Sequence, residues 1–127
     1  MNINAQNLDY YQLNQAIRRA EGPVVIDHCL GQRFIGTALG AGRSLTIHGV
    51  PGNAMGAYLD GGSIEVFGDV QEATGDTMNA GTIVVHGSAG DATGYSMRGG
   101  VILIEGDVGY RAGIHMNPTV PRSPSSL

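Results

Sequence analysis

Two copies of a nineteen-residue unit stand next to each other in GSIEVFGDVQEATGDTMNAGTIVVHGSAGDATGYSMRGG, residues 62–100. Each copy opens with a short segment in which apolar residues alternate with others, which is the periodicity of a β-strand. Each copy then continues through glycine-containing turns to a methionine. Internal repetition of this kind favours a solenoid, in which every unit forms one turn of a coil.

Three columns of residues keep the nineteen-residue period outside these two copies as well. The glycines that end the strand segments are Gly49, Gly68, Gly87 and Gly106. The glycines seven residues later are Gly56, Gly75, Gly94 and Gly113. The apolar anchors of the turns are Leu59, Met78, Met97 and Met116. Parallel pairing of successive turns, about 4.8 Å apart, would stack each column into a ladder and bury a continuous core.

The predicted fold is therefore all-β, a right-handed parallel β-helix of about five turns. A degenerate first turn runs through residues 24–39, with Gly36 and Leu39 at the second and third columns. Apolar residues on one helical face predict a helix within residues 7–21 that covers the N-terminal end of the coil. The domain boundaries are 1–22 for the N-terminal segment with its helix, 23–116 for the β-helix, and 117–127 for a mobile tail rich in proline and serine.

Composition narrows the function. Glycine supplies 21 of 127 residues, and the formal net charge is −4 with no basic run, which argues against nucleic acid as a partner. Cys29 is the single cysteine, which fits a protein in a reducing compartment. We interpret Cys29 as a small, buried apolar side chain. The sequence has no long apolar segment and no leader-like N-terminus, so the expectation is a cytoplasmic protein that does not meet a membrane.

Several sequence patterns resemble catalytic, phosphate-binding or metal-binding sites but have a structural explanation. GTALGAG, residues 36–42, lacks the Gly-Lys-Ser/Thr of a phosphate loop and is interpreted as turns. Asp69 and Asp107 follow strands, where aspartate is favoured for its hydrogen bonds to the backbone. The methionine column fits core packing better than soft-metal binding. The expectation is no catalytic residue and no cofactor.

The histidines form the one column with metal-ligand character. His48 and His86 both precede a strand-ending glycine, and His28 joins them in the degenerate turn, which makes His28 and His48 candidate ligands of a shared metal. Phe67 interrupts the column between His48 and His86, and Glu105 lies at its far end. The favoured interpretation is a solvated outward face without a metal.

The residues at the outward strand positions become less polar from the early turns of the coil to the later ones. Ser44 and Thr46 in an early turn give way to apolar residues in the later ones. Val84, Val101 and Leu103 would form an apolar patch on the outside, the kind of surface that marks an interface. The hypothesis is self-association, as a homo-oligomer, or contact with another polypeptide through the C-terminal turns.

The repeats of residues 31–116, from GQRFIGTALGAG to GYRAGIHM, resemble the C-terminal glycine-repeat (GXGXG-motif) domain of the glutamate synthase large subunit. They also look like a related glycine-repeat polypeptide of formylmethanofuran dehydrogenase. YQLNQAIRRAEG, residues 11–22, is similar to the segment that precedes the coil in stand-alone versions. The resemblance implies a β-helix that packs between the amidotransferase and synthase domains and supplies no catalytic residue.

The function expected from the resemblance is a non-catalytic structural or assembly subunit, or domain, of a glutamate-synthase-like complex in nitrogen metabolism. Its partners would be amidotransferase or synthase polypeptides. The alternatives are an independent homo-oligomeric binding module, metal-contacting through the histidine column, and a β-helix enzyme. Hexapeptide-repeat acyltransferases need a shorter regular spacing of apolar anchors, which this chain does not show.

Overall fold

The computed structural model describes residues 1–107, and they form a solenoid of about five turns with one short helix near the N-terminus. Six parallel strands pair in chain order within one sheet. The elements are β1 Asn2–Asn4, α1 Tyr10–Arg19, β2 Val24–Leu30, β3 Ser44–Val50, β4 Asp60–Phe67, β5 Ala80–Val85 and β6 Val101–Ile104. The all-β prediction is confirmed. Gly113, Met116 and the predicted tail at 117–127 lie outside the described residues.

The strands pair with the register that the nineteen-residue period requires. Leu45 pairs with Ile64, Ile64 with Ile83, and Ile83 with Ile102, and all four side chains are buried. The strand positions between them face outward. Alternation along each strand therefore sends one ladder of branched apolar residues into the core.

The anchor column also lies inside the coil. Leu59 and Met78 are fully buried, and Met97 is nearly so. Thr74 and Thr93 are buried too, and each hydroxyl donates to a backbone carbonyl three residues earlier, so neither is left unpaired. The interpretation of the methionines as core packing is confirmed for Met78 and Met97.

The N-terminal helix is shorter than predicted and is joined by a strand that the sequence did not reveal. Asp9 caps α1 by accepting a hydrogen bond from the Gln12 backbone, and the Gln12 side chain accepts one from the Asp9 backbone in return. Leu13 and Ile17 point into the core. Parallel strands need a crossover, and α1 supplies it between β1 and β2. Within residues 1–107, no helix is long and apolar enough to cross a membrane.

The second glycine column is restricted by space as well as by backbone conformation. Gly56 has a φ of +71°, but its neighbours Ala54 and Tyr58 adopt φ values of +60° and +58° without being glycine. A Cβ atom on Gly56 would lie 2.7 Å from Cδ1 of Ile83 on β5. A side chain in this column would therefore crowd the isoleucine ladder and would also strain the backbone.

Cys29 is buried, as predicted. Its Sγ donates to Oε1 of Gln32 at 3.4 Å, and burial raises the pKa of the thiol to about 11. A thiol with a raised pKa carries little thiolate at neutral pH, so it is a poor nucleophile. The structure thus agrees with a packing role for this residue.

Candidate functional site

The outward side of strands β3 to β6, with the residues that directly follow β5 and β6, presents three parallel columns of side chains, here called the outer face. The columns are Ser44, Ser63, Thr82 and Val101; Thr46, Glu65, Val84 and Leu103; and His48, Phe67, His86 and Glu105. Val84 pairs directly with Leu103, and Val101 pairs with Thr82. The structure therefore brings together the three residues of the predicted apolar patch, with Leu103 39% exposed.

The histidine column is a continuous stack of rings. Phe67 lies between His48 and His86, with ring centroids 5.1 Å and 4.6 Å away and interplanar angles of 12° and 19°. Phe67 therefore occupies the column between the two histidines, as the sequence indicated, and its phenyl ring stacks on both imidazoles. Phe67 remains 44% exposed, so the stack offers an apolar ridge on the outer face.

Two carboxylates hold His86 from either side. Its Nε2 lies 2.7 Å from Oε2 of Glu65, and its Nδ1 lies 2.7 Å from Oε1 of Glu105. With both ring nitrogens protonated, each donates one hydrogen bond to a carboxylate. These hydrogen bonds raise the pKa of His86 above its ordinary value, and the charges of the two carboxylates act in the same direction.

Sequence reasoning missed this cluster. Glu65 belongs to a different column from His86 and Glu105, so the period alone does not join them. The cluster could have been predicted from diagonal positions on the sheet. A long side chain such as that of Glu65 can reach a residue one strand on and in the adjacent column.

The raised pKa predicts that His86 makes the fold more stable in mildly acidic than in mildly alkaline solution. Protonated His86 is favoured by the native state, so its contribution is complete below the unfolded pKa of about 6.5 and disappears as the pH rises through the raised native pKa. In urea unfolding, the wild-type chain should therefore lose stability across that window, and His86→Gln should lose less.

Nuclear magnetic resonance titration of His86 tests the role of each carboxylate. The pKa of His86 should fall in Glu65→Gln and fall further in Glu65→Gln/Glu105→Gln, since each substitution removes one anionic acceptor. A pKa that stays the same in both variants would contradict the carboxylate assignment.

Of the two candidate metal ligands, His48 lies at the start of the outer face and His28 lies on the preceding strand, β2, without a paired position on β3. His28 sits in a bulge of β2 between the paired positions Ile26 and Cys29, with a φ of +60°. His48 stacks on Phe67. Over residues 1–107, no group of three or more His, Cys, Asp or Glu side chains is arranged to hold a metal ion.

Two further patterns noted in the sequence, Asp69 and GTALGAG, make hydrogen bonds that stabilise turns of the coil. Oδ1 of Asp69 accepts a hydrogen bond of 2.8 Å from the backbone of Ser88, one turn later. Within GTALGAG, the Gly36 N–H donates a hydrogen bond of 3.1 Å to Oδ1 of Asn14 on α1. This backbone amide therefore binds a side chain of the helix, where a phosphate loop would use it to bind phosphate. Both interpretations made from the sequence agree with these contacts.

The parallel coil and its glycine columns define a glycine-repeat β-helix module. The family model described as GXGXG motif matches residues 6–121, and the chain belongs to this family. No curated protein and no solved structure matches the chain.

Proposed function

We propose that this chain is a non-catalytic structural module of a glutamate-synthase-like complex that contacts amidotransferase or synthase polypeptides in the cytoplasm. The family membership supports this proposal, because it agrees with the resemblance to the glycine-repeat domain of glutamate synthase. The observation that carries it is the outer face, where exposed apolar and aromatic side chains collect on a rigid sheet.

The outer face has the composition of a contact surface. Phe67 and Leu103 keep 44% and 39% of their surface exposed, and the half-buried Val84 pairs with Leu103. Interfaces place apolar and aromatic groups at the centre and polar groups at the rim. Glu65 and Ser63, which precede Phe67 on the same strand, provide polar groups beside the apolar ones.

The rigidity of the sheet favours binding. The outward residues stand on strands whose opposite faces are locked into the core ladder, so little side-chain or backbone order has to be gained on association. A non-catalytic role also fits the histidine column, where both ring nitrogens of His86 are engaged by carboxylates.

Affinity purification of the tagged chain from its native cell tests the proposal. Amidotransferase or synthase polypeptides should co-elute with the wild type. Leu103→Asp should weaken the affinity at least tenfold, which corresponds to about 1.4 kcal/mol, and should lower their recovery. The reason is that a carboxylate would be buried without a partner at the centre of the interface.

Leu30→Asp is the matched control, because Leu30 is 78% exposed on β2, outside the apolar patch. Recovery should be unchanged in this variant. Equal losses in both variants, or the absence of any amidotransferase or synthase polypeptide in the wild-type eluate, would count against the proposal.

A further inference from the structure

A cavity of about 290 Å³, here called the aromatic cavity, lies between α1 and the first two turns of the coil. Four exposed rings line it, those of Tyr10, Tyr11, Phe34 and Tyr58. The other lining residues are Asn14, Gln15, Arg18 and Thr37. None of the eight belongs to the outer face. A wall of aromatic rings with a few polar groups is the composition typical of a site for a small molecule.

Two of the four rings stand at positions where the other turns carry small residues. The equivalent residues in the other turns are Ala54, Ala73 and Ala92 for Phe34, and Ala38, Thr77 and Ser96 for Tyr58. Phe34 and Tyr58 have φ values of +60° and +58°, a conformation that bulky residues avoid. Both rings are exposed, so core packing does not explain them. Unfavourable backbone conformations of this kind are concentrated at functional sites, including ligand clamps.

The rings of Tyr10 and Phe34 are held in place by their neighbours. They meet edge to face, with centroids 6.2 Å apart. The guanidinium of Arg33 lies 4.4 Å from the centroid of Tyr10 and 5.7 Å from that of Phe34. A ring that is already ordered loses little side-chain entropy when a ligand packs against it.

The aromatic cavity adjoins a smaller one of about 190 Å³, here called the arginine cavity. The two share three lining residues, including Arg18, and Arg43 also lines the arginine cavity. Arg18 is exposed and forms no ion pair within residues 1–107, and residues 108–127 contain no Asp or Glu. In the described part of the chain, no carboxylate lines either cavity. The charge at this end of the site is therefore positive, which suits an anion.

Two hydrogen bonds fix α1 against the coil on either side of Arg18. Oδ1 of Asn14 accepts one of 3.1 Å from the Gly36 N–H, and Nη2 of Arg43 donates one of 2.7 Å to the Ile17 carbonyl. Nε of Arg43 is buried and has no hydrogen-bond partner within residues 1–107, so the protein satisfies this guanidinium only in part. The walls of both cavities are thus positioned before any ligand binds.

We propose that the two cavities form one binding site for a small aromatic anion, a planar ring that carries a carboxylate or phosphate group. The ring packs among the side chains of Tyr10, Phe34 and Tyr58. The anionic group lies beside Arg18, on the side of the arginine cavity. Arginine binds both kinds of anion through paired N–H donors. A neutral ring would leave the positive charge without a counter-charge, and an anion without a ring would leave the aromatic wall uncovered, so affinity requires both groups.

Nuclear magnetic resonance titration of the folded chain tests the site with 2-naphthoate as the probe. Backbone amide signals of the lining residues should shift, those of β6 should not, and the Kd should lie below about 1 mM. The neutral 2-naphthalenemethanol, and acetate, which has no ring, should each bind about tenfold more weakly or worse. 2-Naphthyl phosphate is the second anionic probe, and the tighter of the two anions identifies the group that the site prefers.

Substitutions in the site separate the contribution of charge from that of the rings. Arg18→Gln should raise the Kd of 2-naphthoate about tenfold and leave that of 2-naphthalenemethanol unchanged, because only the contact with the anion is lost. Phe34→Ala should weaken the binding of both, and the fold accepts alanine at this column in other turns. Arg19→Gln is the matched control, since Arg19 is exposed on the same helix but lines neither cavity. Circular dichroism checks that all three variants remain folded.

Three results would each overturn the proposal. They are the absence of saturable binding by 2-naphthoate, equal affinity for 2-naphthoate and its neutral analogue, and equal effects of Arg18→Gln and Arg19→Gln. Shifts confined to the outer face would also count against it. The outcome is independent of the proposed contact with synthase polypeptides, because the two cavities share no lining residue with the outer face.

Discussion

Replacing Gly49 with alanine is expected to lower the free energy of unfolding by about 3 kcal/mol or more. Gly49 has a φ of +128°, which non-glycine residues avoid, and its Cβ would collide with the carbonyl oxygen of Cys29 in the preceding turn. The backbone nitrogen of Cys29 would lie 2.9 Å away. Backbone atoms held in a strand ladder cannot move aside cheaply, so the cost is a local disruption of the coil. Urea unfolding measures it.

Gly31→Ala separates the collision from the backbone strain. Gly31 also has a positive φ, +77°, but a Cβ atom there would meet nothing within 4 Å. Only the conformational cost of about 1–2 kcal/mol should appear. Equal destabilisation by the two substitutions would show that close approach between turns is not what keeps Gly49 a glycine.

Ile83→Ala is expected to cost about 4 kcal/mol. The side chain is fully buried and lies in the ladder between Ile64 and Ile102, so truncation leaves a cavity that neighbouring turns cannot close without breaking strand register. Urea unfolding should show a lower midpoint with little change in slope. A loss below about 1 kcal/mol would mean that the turns can collapse onto the vacated space.

A double-mutant cycle tests the contact between the glycine column and this ladder. Gly56→Ala should destabilise, because the new Cβ would lie 2.7 Å from Cδ1 of Ile83. Ile83→Val removes that atom at a cost of about 1 kcal/mol. Together the two changes should cost less than the sum of the single effects, by about 1 kcal/mol. Strict additivity would contradict the steric explanation of this glycine column.

The fold could be predicted because the sequence repeats the same information in several turns. The register of Ile64 with Ile83 follows from the nineteen-residue period alone, and so does the burial of Met78. The helix was predictable from the apolar face of Leu13 and Ile17, although its ends differ by a few residues. Local pattern and tertiary packing agree at all these positions, so sequence reasoning succeeds there.

The candidate site was less predictable, because its contacts cross the columns. The outward residues Val84 and Leu103 follow from strand alternation, but the pairing of His86 with Glu65 is diagonal. The stacking of Phe67 depends on ring orientation, which the order of residues along a column does not contain.

The period, the parallel coil and the residues of the core ladder follow from the amino-acid order alone, because they depend on spacing that every turn repeats. Three further features exist only in the folded chain: the strand β1, the carboxylate pair around His86 and the reason for each glycine column. β1 is a three-residue segment without periodicity that forms because β2 offers it an edge. The other two depend on distances between atoms of different turns, and such distances are defined only once the chain has coiled.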